Sequence, residues 1–416
     1  MTHPATSIAI LSPGFPDSAG GVTAHTHRLV RNWSDSGHDV TVIGDLSEGP
    51  KSAMERLQEA RAKFLLVQYV PFLYGRRGLS RFPERLVRGA SGAGIRVTTF
   101  VHEPWVPPTR LPWVVLSPLQ RRQLKGILAI AHAVVTAVPR WKVQLGEDTE
   151  IVYVGNTMGD SDTATAVEPP LPAPVVFSPF ASGLRWEWIV EASKAIGAQP
   201  SLTVIGAEAN QVRLHRSVGK SFQLDWECTG HLPAAEVLAR LARARLVLAP
   251  FDDGVTGRRT SLFAAASVGA RILCSTGHLH DGSFASSALH IATSREDFID
   301  KAVRLWSTAA EAGERSERLA WYQEVLDPVR LDAQLLEVVL GSIAAPSHSP
   351  LPTPRGRGRR EGGGGVRVFR GYFVFCLTAA SSTSMYQAGT IHANRRSYRS
   401  GQRAANRRAT ALTRPP

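Results

Sequence analysis

The sequence has 416 residues, more than one ordinary domain needs, so two domains are expected. Hydrophobic residues make up 43% and aromatic residues 7%, which excludes a chain unable to build a packed core. The net charge of +13 belongs to one end: residues 346–416 hold 13 Arg, no Lys and one Glu, and the first 345 residues carry 35 basic and 34 acidic side chains. The folded body is therefore not expected to bind nucleic acid.

The opening segment, MTHPATSIAILSPGF, has no basic region ahead of its short apolar run, and it reads as a first strand rather than a signal peptide. Ser7–Leu11 is that strand. Gly20-Gly21 follows and opens a helix running to about Ser36, with Val22, Thr26, Leu29, Val30 and Trp33 on one face and Gly37 placed to end it. Asp39–Ile43, Phe64–Tyr69 and Arg96–Val101 are further strands, with Ala133–Ala137 and Glu150–Val154 closing the first sheet. Pro169, Pro170, Pro172 and Pro174 mark a linker. A second alternating series starts at once, with strands at Val175–Ser178, Leu202–Ile205, Glu227–Thr229, Leu246–Ala249 and Arg271–Cys274. Helices are expected between them at about 186–197, 234–244 and 259–268, and residues 295–343 are helical with a break at Pro328.

These elements predict an α/β chain of two Rossmann-like, doubly wound domains facing a central cleft. The expected limits are 1–165, a linker at 166–174, and 175–345. Beyond Ala345 the composition turns to Pro, Arg, Gly and Ser, and a disordered tail over 346–416 is expected. Two readings of that tail stand: an Arg-rich arm for polyanions, or a segment without a selected role. The collapse of periodicity favours the second.

Three cysteines at irregular spacing, Cys228, Cys274 and Cys376, offer no disulfide framework and point to a reducing, cytoplasmic setting. No apolar run approaches the roughly 20 residues of a membrane span. His25-x-His27 and His278-x-His280-Asp281 lack the partners and spacing of a metal site, so no metal and no cofactor are expected.

Three segments carry chemistry. The first, Pro13 to Gly21, is a glycine-rich turn from strand to helix, where backbone N–H groups and the helix dipole favour an anion; a plain tight turn is the alternative. The second joins Val67-Gln68-Tyr69 to Val101-His102-Glu103. Both follow strands, so their polar residues emerge at the carboxyl edge of a parallel sheet, where ligands of open α/β sheets bind. His102 can hydrogen-bond a ligand hydroxyl or handle a proton, unless its own loop satisfies it. Glu103 either orients His102, contacts an acceptor, or is an exposed loop carboxylate. The third segment, Asp252-Asp253-Gly254-Val255-Thr256-Gly257-Arg258-Arg259-Thr260-Ser261, turns from a strand into a helix and gathers two guanidiniums and two hydroxyls at a helix start. Arginine matches phosphate geometry and neutralises its charge.

The segment IAILSPGFPDSAGGVTAHTHRLVRNWSDSGHDVTVIG resembles the opening of GT-B glycosyltransferases of the group 1 type: strand, Gly-Gly loop, helix, then Gly37-His38-Asp39-Val40-Thr41-Val42. The resemblance implies a nucleoside-diphosphate sugar as donor partner and transfer to an unidentified acceptor with retention. It sets the Gly20-Gly21 loop against the donor phosphates and the acceptor and His102 at the sugar as catalytic residue; from the residues themselves Asp253, Gly254, Arg258, Arg259, Thr260 and Ser261 are read as donor-binding, and Tyr69 and Glu103 as acceptor-side. Peripheral contact with a membrane is compatible with it.

The sequence also departs from that pattern. Relatives carry two glutamates eight positions apart around the third segment, and here those positions fall near Thr256 and Ala264. After the strand at Val175 relatives place an Arg and a Lys, where this chain has Gly183-Leu184-Arg185-Trp186 and no nearby lysine. A GT-B-like nucleotide-sugar binding or scaffold protein without turnover is the alternative reading.

Overall fold

The computed structural model describes residues 5–18, 20–159, 169–178, 183–197, 201–208, 225–284, 288–309 and 313–341. The tail expected over 346–416 lies outside the described residues.

The described strands form two six-stranded parallel sheets. The first holds β1 (Ser7–Leu11), β2 (Asp39–Ile43), β3 (Phe64–Tyr69), β4 (Arg96–Val101), β5 (Ala133–Thr136) and β6 (Glu150–Ile151), in the order β2-β1-β3-β4-β5-β6. The second holds β7 (Val175–Phe177), β8 (Ser201–Ile205), β9 (Asp225–Cys228), β10 (Val247–Ala249), β11 (Ile272–Ser275) and β12 (Leu289–Ala292), in the order β12-β11-β10-β7-β8-β9. Ile8, Ile10, Leu65, Leu66, Val97 and Phe100 are fully buried or nearly so, as expected for strands covered on both faces.

In both sheets the chain first runs one way from a central strand and then returns to its other side. β1 sits between β2 and β3, and β7 between β8 and β10. A crevice opens outside the carboxyl ends of the strands at such a switch point. The loops leaving β1 and β10 are the first and third segments singled out in the sequence.

The helices of the first half are α1 (Gly21–Asp35), α2 (Gly49–Glu59), α3 (Pro71–Tyr74), α4 (Phe82–Gly92), α5 (Trp113–Leu128) and α6 (Lys142–Leu145). Gly37 has φ +87°, and its N–H bonds the Ser34 carbonyl at 2.9 Å, the left-handed ending foreseen for α1. The second half has α7 (Trp186–Ile196), α8 (Ala234–Ala242), α9 (Thr260–Ser267), α10 (Arg295–Ser307), α11 (Glu314–Leu326) and α12 (Pro328–Leu340).

The last helix crosses back. Asp327 caps it, accepting from the N–H groups of Val329 and Arg330 at 3.2 and 3.3 Å, and Pro328 occupies its first turn. Although it follows the second series in sequence, α12 packs against α1, β3 and β4 of the first half. The contact centres on a buried ion pair: Arg28 Nε and Nη2 donate to the two carboxylate oxygens of Asp332 at 2.8 and 2.6 Å. The same guanidinium donates to the carbonyls of Asn156 at 2.5 Å and Val154 at 2.6 Å, in the segment where the chain leaves the first sheet. Asn32 Nδ2 and Trp33 Nε1 complete the set, reaching the Asp332 carboxylate at 2.7 Å and its carbonyl at 3.0 Å. Gly155 leaves little room beside it; a Cβ there would lie 3.1 Å from Leu331 Cδ1.

Candidate functional site

The turn after β1 delivers the chain to Gly20 and Gly21. The start of α1 has no acidic residue in its first turn and no capping side chain among the described residues. The start of α9, at Thr260 and Ser261, is equally uncapped and free of acid. The two meet: a Cβ on Gly21 would sit 3.9 Å from Thr260 Oγ1. The starts of two helices, one from each half, therefore lie close together with their positive dipole ends; at α9 the N–H groups of Thr260, Leu262 and Phe263 already bond the Arg258 and Arg259 carbonyls at 3.0–3.1 Å.

Beside Thr260 the third segment closes on itself. Arg258 Nη2 donates to Asp253 Oδ2 at 2.6 Å, and Arg259 Nη2 donates to Asp253 Oδ1. Arg258 Nη1 reaches across to Glu103 Oε1 in the first half at 2.9 Å. Arg258 lies 5.3 Å from the Trp141 ring and Arg259 4.3 Å from Phe251, and the Nε atoms of both lack a partner. Burial alone would raise the Asp253 carboxyl, but the Arg259 and Arg258 guanidiniums outweigh it and hold the group below the usual carboxylate range. Two positive and two negative side chains thus cancel.

That arrangement corrects three expectations. The arginines do not stand uncompensated before an anion; Asp253 and Glu103 already occupy them. Asp253 is 6% exposed and spent on both guanidiniums, so it presents no free carboxylate to a donor. Glu103 does not orient His102. Gln68 does, with Oε1 2.5 Å from His102 Nε2.

Tyr69 is a further correction. It is fully buried, its hydroxyl accepts from Gln123 Nε2 at 3.2 Å, and burial pushes its pKa up to about 12. It closes the first core against Tyr74 instead of facing an acceptor. Gly254 has φ +88°, and a Cβ there would lie 2.7 Å from the Gly277 N, so close packing of the 277–280 loop requires this glycine.

His102 lies at the end of β4, 7% exposed, stacked on Phe100 with ring centroids 4.4 Å apart. Burial first, and Arg258 second, push its pKa from 6.5 down to about 3. The ring is neutral at physiological pH, so the proton-handling half of the expectation gives way and hydrogen bonding remains. Because the folded value is depressed, the associated stability is present above the unfolded value of 6.5 and is lost as pH falls toward about 3. His102→Gln is expected to flatten this acid limb, by at most about 1.4 kcal/mol per pH unit for one group. Urea melts at neutral and mildly acid pH check it, and an equally steep limb in the variant would contradict it.

His25 was weighed in the sequence only as a metal ligand. It is 1% exposed, with its ring centroid 5.6 Å from that of His102 and its Nε2 3.9 Å from Asp332. Burial, then Arg28, then His102 lower its pKa well below 6.5. His25 and Arg28 fall on the buried stripe of α1 with Leu29 and Trp33, a spacing that could have flagged them. His27 instead turns outward against Phe15 at 4.4 Å. His280 gives its carbonyl to Arg140, and Asp281 accepts from Tyr153 at 2.7 Å. No three His, Cys, Asp or Glu side chains group as metal ligands among the described residues.

The positions where two glutamates would stand are both fully buried. Thr256 Oγ1 lacks a hydrogen-bond partner, and Ala264 belongs to the second core. Gly257 is the tightest crossing between the halves: a Cβ there would overlap the Tyr153 ring and lie 2.5 Å from the Ala137 carbonyl oxygen. Arg185 is engaged by Asp252, through its carbonyl at 3.2 Å, and by the Trp188 ring at 4.3 Å.

No family model matches the chain, and no curated protein matches it. Solved structures do. An alpha-glucosyltransferase in complex with UDP-glucose and DNA containing an abasic site aligns with 81% of this chain and 100% of its own, at 10% identity and TM-score 0.58. The glycosyltransferase AviGT4 of avilamycin A biosynthesis aligns over 80% of this chain and 97% of its own, at 15% identity and TM-score 0.52. The fold is GT-B. A structure from Listeria monocytogenes described as a UDP-N-acetylglucosamine 2-epimerase aligns over 82% and 97%, at 12% identity and TM-score 0.50. At these identities the likeness establishes architecture; reaction chemistry has to come from the site.

Proposed function

We propose that the chain is a glycosyltransferase that moves a sugar from a nucleoside-diphosphate donor to an acceptor, with retention of configuration. The observation that carries this reading is the approach of Gly21 and Thr260, which brings two uncapped helix starts together. A diphosphate supplies the negative charge that both dipoles favour, and the absence of a Cβ on Gly20 and Gly21 lets backbone N–H groups reach it. Arg258, Arg259, Thr260 and Ser261 complete the donor site. The bond from the anomeric carbon to the phosphate oxygen breaks with its electron pair leaving on the diphosphate. The acceptor oxygen bonds that carbon and releases its proton to the departing phosphate oxygen on the same face. Neutral His102, set by Gln68, hydrogen-bonds a sugar hydroxyl. Retention is supported by the family resemblance alone.

The proposal includes a donor-side domain at 175–345, an acceptor-side domain at 1–165, and a cytoplasmic location. No helix among the described residues is long and apolar enough to cross a membrane. One observation favours a second reading, a nucleotide-sugar binding protein without turnover: the buried Thr256 and Ala264 replace the glutamate pair. Incubation with a panel of nucleotide sugars and candidate acceptors separates the two. Transfer or slow donor hydrolysis is expected; saturable donor binding with neither would establish the second reading, and no binding at all would sink both.

A further inference from the structure

Helix α5 is attached by one face. Ser117, Gln120, Leu124 and Ile127 recur at helical spacing and are buried. Gln120 ties that face down, accepting from the Val106 N–H at 2.9 Å and donating to the Arg77 carbonyl at 3.1 Å. The opposite face of a surface helix is ordinarily polar. Here its first turns carry Val114 (49% exposed), Val115 (56%) and Leu119 (45%), and Leu111 (79%) precedes them. These four lie within nine residues, among only seven such exposed side chains in the described residues. Single exposed apolar residues are normal, whereas a cluster marks an interaction surface.

The charge around the cluster identifies the partner. From Pro104 to Gly146 the sequence has no Asp or Glu, and Arg110, Arg121, Arg122 and Lys125 lie in α5 or just before it; the carboxylate against the far end of the helix, Glu84 beside Gly126, is paired with Arg88 at 3.0 Å. Arg121, Arg122 and Lys125 are exposed on the later turns of the same helix. Two aromatic rings join them, with Arg110 4.1 Å from the Trp113 ring and Arg121 4.6 Å from Trp105. A second copy of this face would set cations against cations. An anionic bilayer surface satisfies both features, because the apolar side chains enter the boundary between headgroups and acyl chains while Arg and Lys meet phosphates. We infer that the start of α5 docks this protein on an anionic phospholipid membrane. The surface is joined to His102 by the loop from Glu103 to Pro112, so docking would set the edge of the first sheet near the bilayer.

The test is partitioning of the full chain onto phosphatidylcholine vesicles with and without phosphatidylglycerol. The 13 arginines of the tail also attract anionic lipid, so the comparison is between the wild type and a Leu111→Ser, Val114→Ser, Val115→Ser, Leu119→Ser variant with the same tail. It is made at raised salt, which screens tail electrostatics far more than apolar insertion. The expected result is a loss of about tenfold or more in the variant's partition coefficient for phosphatidylglycerol vesicles, with unchanged thermal stability. An unchanged partition coefficient overturns the inference. That holds whether the tail then accounts for all binding or sedimentation shows a second copy covering the face.

Discussion

Asp332→Ala is expected to lower the free energy of unfolding by about 3–5 kcal/mol, a large part of an ordinary domain's stability. Arg28 and Asp332 are 5% and 1% exposed and meet through two parallel hydrogen bonds. Removing the carboxylate leaves a guanidinium out of water, facing only the Val154 and Asn156 carbonyls, and strips Asn32 of its acceptor. The sequence separation is part of the effect. The pair joins α1 to α12 across 304 residues, so its loss frees the last helix from the first sheet as well as unbalancing a charge. Replacing both partners with apolar side chains, as in Arg28→Met with Asp332→Leu, should recover much of the loss, because neither charge then has to be desolvated. Urea denaturation of the single and double variants measures this. A single variant within about 0.5 kcal/mol of wild type would place the site among ordinary surface positions and contradict the account.

Arg258→Ala and Arg259→Ala are each expected to weaken donor binding by about ten- to a hundredfold, the range for one lost hydrogen bond to a charged group. Glu103→Gln should act in the opposite direction. In the structure Arg258 spends Nη1 on Glu103 and both arginines share Asp253, so an arriving diphosphate competes with a carboxylate across the cleft. Neutralising that competitor tightens binding, whereas a role for Glu103 in holding the donor would loosen it. Titration of the three variants with the best-bound nucleotide sugar gives the signs directly.

The fold was legible because the central strands of both parallel sheets are buried and read as apolar runs between turns; the edge strand Asp225–Cys228 carries two acids and is partly exposed. The strand missed, Leu289–Ala292, lies at the sheet edge, half-buried at His290 and Ile291, so it lacks the continuous apolar run that marks its neighbours. The docking of α12 on the first half was not legible either, since amphipathic spacing says which face is buried and not which layer it meets. The two turn-to-helix segments proposed for the donor could be singled out because a glycine turn into a helix is a local signal. Partnerships were not: Arg258 finds Glu103 155 residues away, and nothing local to either residue predicts the pairing. Tyr69 shows the limit of strand alternation. In a sheet covered on both faces each side of a strand leads into packed structure, so its position at the carboxyl edge did not decide that its ring joins the core.

The central claim is that the gap between the starts of α1 and α9 holds a diphosphate. The most direct measurement is a calorimetric titration of nucleoside diphosphates into the wild type and Gly21→Val. Gly21 is exposed, and only Thr260 Oγ1, at 3.9 Å, would meet a Cβ there. The valine methyls therefore crowd the proposed diphosphate site without disturbing a core. The account predicts saturable binding of at least one nucleotide at one site per chain, lost in Gly21→Val while the melting temperature holds. Saturable binding of equal strength in both proteins, or none to the wild type, would contradict it.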